Sequence, residues 1–156
     1  MKAIWMILIC MGIVATAQSQ PEKKVDYYKT AVGLKYQPYA ITAKQAIFKH
    51  HLVEALMYFY KGARITGLYE FHRKFKNSNS FRWYFGPGAH IQFNDDKTVN
   101  SGKNFVGFDG VFGIDWKLKK LPINISADWQ PSFDFVDVGD NFKGGFGGIS
   151  VRYVLN

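Results

Sequence analysis

A strict alternation of side-chain character runs through residues 105–133 and most constrains how this chain can fold. Over residues 106–116 every second residue is apolar or Gly, and the run ends in Trp116. After a break that ends at Pro122, the alternation returns over residues 123–131 with one apolar and one polar face. A period of two is typical of β-strands. These residues therefore predict a β-hairpin whose strands, at about a dozen residues each, are long enough to span a membrane.

The composition of the whole chain favours an all-β protein of one domain. The chain has 156 residues, of which 17% are aromatic and 15 are Gly. Aromatic residues are enriched in strands, and glycines mark turns and strand bends. After the first 17 residues, no segment is apolar over a length that would form a membrane-spanning helix.

Residues 1–17 have the three parts of a secretory signal peptide. Lys2 gives a positive start, residues 3–14 are apolar, and the segment ends in the small-x-small cleavage site Ala15-Thr16-Ala17. Cleavage there would remove Cys10, the one cysteine, and leave no thiol or disulfide chemistry. A retained N-terminal anchor is one alternative. A lipoprotein signal at Cys10 is another, but the residue before this cysteine is not small.

The residues after the predicted cleavage site divide into a polar leader, residues 18–30, and a β-barrel domain, residues 31–156. The leader is charged and is predicted to be mobile. The barrel domain is predicted to be an all-β, eight-stranded, antiparallel up-and-down membrane β-barrel with a side-chain-filled lumen. Residues 40–48 alternate least clearly, and residues 52–61 also fit a short helix. The predicted strands are residues 31–37, 40–48, 52–61, 63–75, 81–93, 105–116, 123–133 and 144–156.

The connections between these strands form two sets if the leader lies in the periplasm. Residues 94–104 and 134–143 would then be the longest outer loops, whereas residues 49–51, 74–80 and 117–121 would be inner turns. Long outer loops and short inner turns are typical of bacterial membrane barrels.

These features together resemble the small eight-stranded outer-membrane β-barrel proteins of Gram-negative bacteria, the superfamily of OmpA transmembrane domains and opacity-type proteins. The resemblance is carried by the signal peptide that ends at Ala17, by the alternating strands, and by residues 148–153 (GISVRY). This last run is similar to the C-terminal assembly signal of such barrels, although the chain ends in Asn156 rather than Phe. The resemblance implies a location in the outer membrane, contact with its lipids, and recognition of the last strand by the barrel assembly machinery.

The alternation directs charged side chains of both signs into the barrel. Because unpaired charges are costly in a narrow lumen, we expect these side chains to pair. The simpler interpretation is a structural network of ion pairs and hydrogen bonds, and the alternative is a gated pore or proton path. The predicted lumen network consists of Lys35, Lys44, Glu54, Arg64, Glu70, His72, Arg82, His90, Asp109, Asp115, Asp128 and Arg152.

Catalytic and metal-binding motifs are weak in this sequence. The four histidines lack the spacing of a zinc site. The glycine-rich residues 144–148 precede a predicted strand, whereas a phosphate-binding loop precedes a helix. Glu70 and His72 with Ser126 or Ser150 could form a hydrolase triad, but residues that face the lumen do not meet lipid. We therefore predict no catalytic residue, no metal and no cofactor.

The predicted function is that of a non-enzymatic outer-membrane barrel with a structural or surface-binding role. The alternatives are an outer-membrane enzyme that modifies lipid A or phospholipids, and a soluble, secreted, lipocalin-like barrel that binds a small apolar ligand. A lipocalin would place Phe and Trp inward and charges outward, whereas we expect Trp83, Trp116 and Trp129 in outward girdles. The net charge of +8 suits anionic lipid head groups, and export makes nucleic acid an unexpected partner. The sequence indicates no extracellular ligand.

Overall fold

The fold is a barrel of β-strands. A computed structural model describes residues 27–59, 62–76, 78, 80–93, 104–135 and 142–155. Within these ranges, no helix has the length and apolar character needed to cross a membrane. The strands are β1 (Thr30–Tyr36), β2 (Ala40–Phe48), β3 (His51–Tyr58), β4 (Ala63–Lys74), β5 (Phe81–Phe93), β6 (Phe105–Lys117), β7 (Ile123–Trp129), β8 (Ser132–Asp134), β9 (Phe142–Lys143) and β10 (Gly148–Leu155).

The sheet closes on itself through antiparallel pairings. Strands β1 to β7 pair in chain order, and β10 pairs with both β7 and β1. The seam between β1 and β10 runs from Thr30 opposite Leu155 to Tyr36 opposite Ile149. Strand β8 continues the seventh barrel strand along β6, and the short β9 pairs with β8. The predicted all-β, eight-stranded, antiparallel up-and-down barrel with a side-chain-filled interior is confirmed.

The burial pattern of the strands follows the predicted alternation. In β4, for example, Arg64, Leu68 and His72 are buried inside the barrel, whereas Gly67 and Arg73 face outward. The segment that also fitted a helix forms β3, and the least clear segment forms β2. Because neighbouring side chains on a strand point to opposite faces, each barrel strand contributes one inner and one outer row. The outer rows are mainly apolar, whereas the inner rows hold the charged groups together with apolar residues such as Leu52 and Leu56.

Most strand boundaries agree with the sequence prediction to within one residue, β3 ends earlier, at Tyr58, and two strands near the C-terminus differ further. The second strand of the hairpin in residues 105–133 stops at Trp129 and resumes at Ser132. Pro131 lies in this gap, and proline has no N–H to donate to a neighbouring strand. The last strand begins at Gly148 rather than at residue 144, because the glycine-rich residues before it have few side chains to pack on the barrel wall.

Several predicted features lie outside the described residues. These are the signal peptide (residues 1–17), most of the leader, nearly all of the loop at residues 94–104, and residues 136–141 of the second outer loop. Of the predicted turn between β3 and β4, Gly62 is described. Its φ of 114° lies in the region that favours glycine.

The barrel has two rims, which we name by their connections. The turn rim carries the entry of the chain at Tyr27 and the turns β2–β3, β4–β5 and β6–β7. The loop rim carries the connections β1–β2, β3–β4 and β5–β6 and the segment between β8 and β10. The two sets of connections predicted from the sequence thus lie at opposite ends of the barrel.

Candidate functional site

The side chains predicted to form the lumen network are enclosed by the barrel wall. Eleven of these residues are at most 5% exposed. Asp128 is partly exposed as a residue, but its side chain is fully enclosed where it pairs with Lys35. The barrel interior is therefore occupied by charged groups, and these groups contact one another from one rim to the other.

Arg152 on β10 joins four strands on the turn-rim side of the interior. Its guanidinium pairs with Glu54 on β3, and its Nε donates to Thr42 Oγ1 on β2 at 3.0 Å. Its Nη1 donates to Ser126 Oγ on β7 at 2.7 Å. Thr42 in turn donates to Glu54. This one side chain therefore holds both sides of the β1–β10 seam together.

Lys44 connects Glu54 to a second buried carboxylate. The Lys44 Nζ lies 3.5 Å from Glu54 and 3.0 Å from Glu70, and it lies 4.0 Å from the centroid of the Tyr84 ring. The Nε2 of His72 lies 2.8 Å from Glu70. The His72 ring also stacks on Tyr84, with ring centroids 4.9 Å apart. The imidazole is thus fixed between a carboxylate and an aromatic face.

Tyr27, a residue of the predicted leader, packs across the lumen at the turn rim. Its hydroxyl donates to the carbonyl of Ser80 at 2.8 Å and accepts from the N–H of Lys117 at 2.7 Å. The guanidinium of Arg82 lies 4.1 Å from the centroid of its ring. The prediction that this residue belongs to a mobile leader is therefore wrong, because the barrel offers its ring an enclosed surface.

Tyr28 closes the lumen beside Tyr27. The residue is 2% exposed, and its hydroxyl donates to Asp115 Oδ2 at 3.1 Å. The Nδ2 of Asn124 donates to the other oxygen of Asp115 at 2.8 Å. Burial, together with the negative charge of Asp115, raises the pKa of both the Tyr27 and Tyr28 phenols well above their usual range. Both hydroxyls therefore remain protonated donors at neutral pH.

The middle of the lumen contains a further ion pair with its own hydrogen bonds. Lys35 on β1 pairs with Asp128 on β7. The hydroxyl of Tyr84 donates to the second oxygen of Asp128 at 2.9 Å. Gln130 links this pair to the groups nearer the loop rim, since its Oε1 accepts from Lys35 Nζ at 3.5 Å and its Nε2 donates to Asp109 at 3.0 Å.

A chain of five charged or titratable groups lies toward the loop rim. Arg64 pairs with Asp109, whose other oxygen lies 2.7 Å from His90 Nδ1. The Nε2 of His90 lies 2.9 Å from Asp134, which also pairs with Lys143. Sequence reasoning missed Asp134 and Lys143 because it assigned both to a loop. The alternation did hold the necessary signal, since Asp134 continues the inward parity of residues 124–132.

Phe146 lies over the lumen at the loop rim. Its ring centroid lies 5.5 Å from that of Tyr58, and the Arg64 guanidinium lies 3.7 Å from it. Gly147 permits the chain to pass this close to β7, since a Cβ there would lie 2.8 Å from the Cα of Trp129. Described side chains thus occupy the interior from the two leader tyrosines to this phenylalanine.

The interior does not assemble the hydrolase triad that the sequence left open. Ser126 accepts a hydrogen bond from Arg152, and His72 is held by Glu70. No hydrogen bond joins Ser126 or Ser150 to His72 or His90. Among the residues that the structure describes, no cluster of His, Cys, Asp and Glu is arranged to hold a metal ion.

The outer face of the barrel has the opposite character. Outward positions of the described strands are apolar or small, except Thr30, Gln45, His51 and Arg73 near the turn rim. Aromatic rings lie at both ends, with Trp116 at the turn rim and Phe133 and Phe135 at the loop rim. Trp129 lies between them, opposite Phe112 in the middle of β6. This polarity is the reverse of that expected for a lipocalin. All the described carboxylates face inward, namely those of Glu54, Glu70, Asp109, Asp115, Asp128 and Asp134.

Comparisons with protein-family models, with curated proteins and with solved structures found no match.

Proposed function

We propose that the chain is a non-enzymatic outer-membrane β-barrel protein with a plugged polar lumen and a structural or surface-binding role. The observation that carries this proposal is the inverted polarity of the barrel, with charges inside and large apolar side chains outside. In water, an apolar patch of this extent promotes association. In a bilayer the same face contacts acyl chains, while the closed sheet satisfies its backbone hydrogen bonds internally.

The height of the apolar face fits a bilayer. On β6, outward residues run from Val106 near the loop rim to Trp116 near the turn rim. At ~3.4 Å per residue and a tilt of about 40°, this run spans roughly 25 Å along the barrel axis. Membrane barrels have an apolar band of about this height between two aromatic girdles.

The proposal includes partners at each surface of the protein. Outer-membrane lipids surround the apolar face, and the barrel assembly machinery recognises the last strand, β10, during insertion. Connections at the loop rim form the contact surface toward the outside, since binding residues are commonly carried by loops on a rigid scaffold.

Cell fractionation and gel mobility test the proposal directly. We expect the protein in the outer-membrane pellet, and we expect its migration on a detergent gel to change when the sample is heated. Recovery as a soluble periplasmic or extracellular protein would contradict membrane insertion.

An outward arginine at mid-height should be costly if lipid surrounds the barrel. Val151 and Leu155 both face outward on β10, at mid-strand and near the turn rim, and are 52% and 45% exposed. In a bilayer we expect Val151→Arg to lower the free energy of unfolding by about 2–4 kcal/mol, and Leu155→Arg by about 0–1 kcal/mol. Urea unfolding in lipid vesicles measures both. A similarly small effect of the two substitutions would indicate that water surrounds both positions.

The filled lumen predicts that the inserted barrel carries no large, steady ionic current. The ion pairs between Arg64 and Asp109, between Lys35 and Asp128, and between Arg152 and Glu54 succeed one another along the interior. In planar bilayers we expect no lasting conductance of porin size. A stable open channel would show that the interior pairs separate in the membrane.

A further inference from the structure

Among the residues that the structure describes, exposed positive charge is concentrated on the turn rim. All described carboxylates are enclosed in the lumen, so the exposed charged side chains in the described ranges are cationic. Lys119 and Lys120 are exposed on the β6–β7 turn, and Arg73 and Lys76 are exposed at the β4–β5 turn. A cationic rim directly below an apolar wall matches the order of groups in an anionic lipid, with its charged head and apolar chains.

A cleft of about 460 Å³ lies between these two turns. Ser78 and Ser80 line one side, and residues 118–121, including Lys119 and Lys120, line the other. Its floor is formed by Phe81 and Trp116, whose rings stack with centroids 5.1 Å apart. The cleft therefore has cations and hydroxyl groups at its mouth and aromatic carbon along the barrel wall.

The two walls of the cleft are joined by hydrogen bonds. The Tyr27 hydroxyl bridges the carbonyl of Ser80 and the N–H of Lys117, and that N–H also lies 3.0 Å from the same carbonyl. Ser78 Oγ accepts the N–H groups of Ser80 at 3.3 Å and Phe81 at 3.1 Å. Its own O–H is not used in these two bonds and can donate to a ligand.

We infer that this cleft binds one anionic glycerophospholipid, with its phosphate beside Lys119 and Lys120 and an acyl chain against Phe81 and Trp116. The inference rests on the proposed membrane insertion, which places the turn rim at the depth of the head groups. A free phosphate ion would contact the same lysines, but it has no apolar part that could pack against the aromatic floor. The combination of charge and apolar surface therefore points to a lipid.

Native mass spectrometry tests the inference on the full chain, released from micelles that contain equal amounts of phosphatidylglycerol and phosphatidylcholine. We expect the phosphatidylglycerol adduct to exceed the phosphatidylcholine adduct. The double substitution K119Q/K120Q should lower this ratio about 10- to 30-fold, given the contribution of each cation near an anionic surface. The charge-matched control R73Q/K76Q removes two cations from the same rim outside the cleft. It should change the ratio by less than about threefold.

Several outcomes would overturn the inference. These are an absence of lipid preference in the native chain, an equal loss of preference in both double variants, and displacement of the lipid by excess inorganic phosphate.

Heat-dependent gel mobility after reconstitution in phosphatidylcholine vesicles is measured in parallel. A chain that inserts into these vesicles but shows no preference contradicts the lipid site alone, whereas a chain that fails to insert contradicts the proposed function.

Discussion

Gly33→Ala is expected to abolish formation of the folded barrel. Gly33 lies on β1 in the closing seam, directly opposite Arg152 on β10. An added Cβ would meet the carbonyl oxygen of Val151 and would lie 2.5 Å from the Cα of Arg152. Both are backbone atoms, so the clash cannot be relieved by a side-chain rotation. We expect a loss of about 3 kcal/mol or more of folding free energy, at the upper end of the range for overpacking.

Gly67→Ala is the matched control for this substitution. Gly67 also lies in the middle of a barrel strand, but it faces outward and a Cβ there would meet no atom within 4 Å. We expect this variant to fold with the yield of the native chain. The fraction that shows heat-dependent gel mobility after refolding in detergent compares the two. Equal yields for Gly33→Ala and Gly67→Ala would mean that the seam tolerates a wider separation of β1 and β10.

Arg152→Met is expected to destabilise the barrel by about 3–5 kcal/mol, the cost of removing one partner of a buried ion pair. The substitution leaves Glu54 with Lys44, which is shared with Glu70. It also removes the donor that Ser126 accepts from. Methionine keeps much of the length of the side chain, so the charge and hydrogen bonds are the main losses. Urea unfolding in detergent micelles measures the change.

A second substitution separates the lost charge from the lost packing. Glu54→Gln in the Arg152→Met background removes the carboxylate that has lost its main partner and keeps only the shared Lys44. The double variant should therefore be more stable than the sum of the single effects predicts. Lys143→Gln is a control with a partly exposed cation, whose side chain is 38% exposed, and it should cost less than Arg152→Met because water reaches this end of its pair with Asp134. A small effect of Arg152→Met alone, similar to that of Lys143→Gln, would contradict a structural role for the network.

The sequence predicted the barrel wall because its signal is local. A period of two recurs in each barrel strand. In β4, for example, Arg64 and Thr66 face inward and Ile65 and Gly67 face outward, so a few neighbouring residues are enough to distinguish the two faces. The same alternation identified the charged residues of the lumen. It could not identify their partners, since the contact of Arg152 with Glu54 joins residues 98 positions apart and depends on closure.

Three aromatic residues that sequence reasoning missed lie outside the alternation. Tyr27 and Tyr28 follow a charged stretch and are read as leader, yet their rings fill the turn-rim end of the lumen. Phe146 stands among glycines with no strand pattern around it, and only the folded barrel brings its ring over Arg64. In each of these cases, the position of an aromatic ring is set by the shape of the finished interior, which no local pattern records.

Closure of β1 on β10 also has a consequence for the order of events during biogenesis. The first and last strands are neighbours, and Arg152 is contributed by the last of them. Before that strand arrives, Glu54 and Thr42 lack their main donor, and β1 presents an open edge that can pair with other chains. Until its C-terminal strand pairs with β1, we therefore expect the chain to need protection from aggregation at this edge.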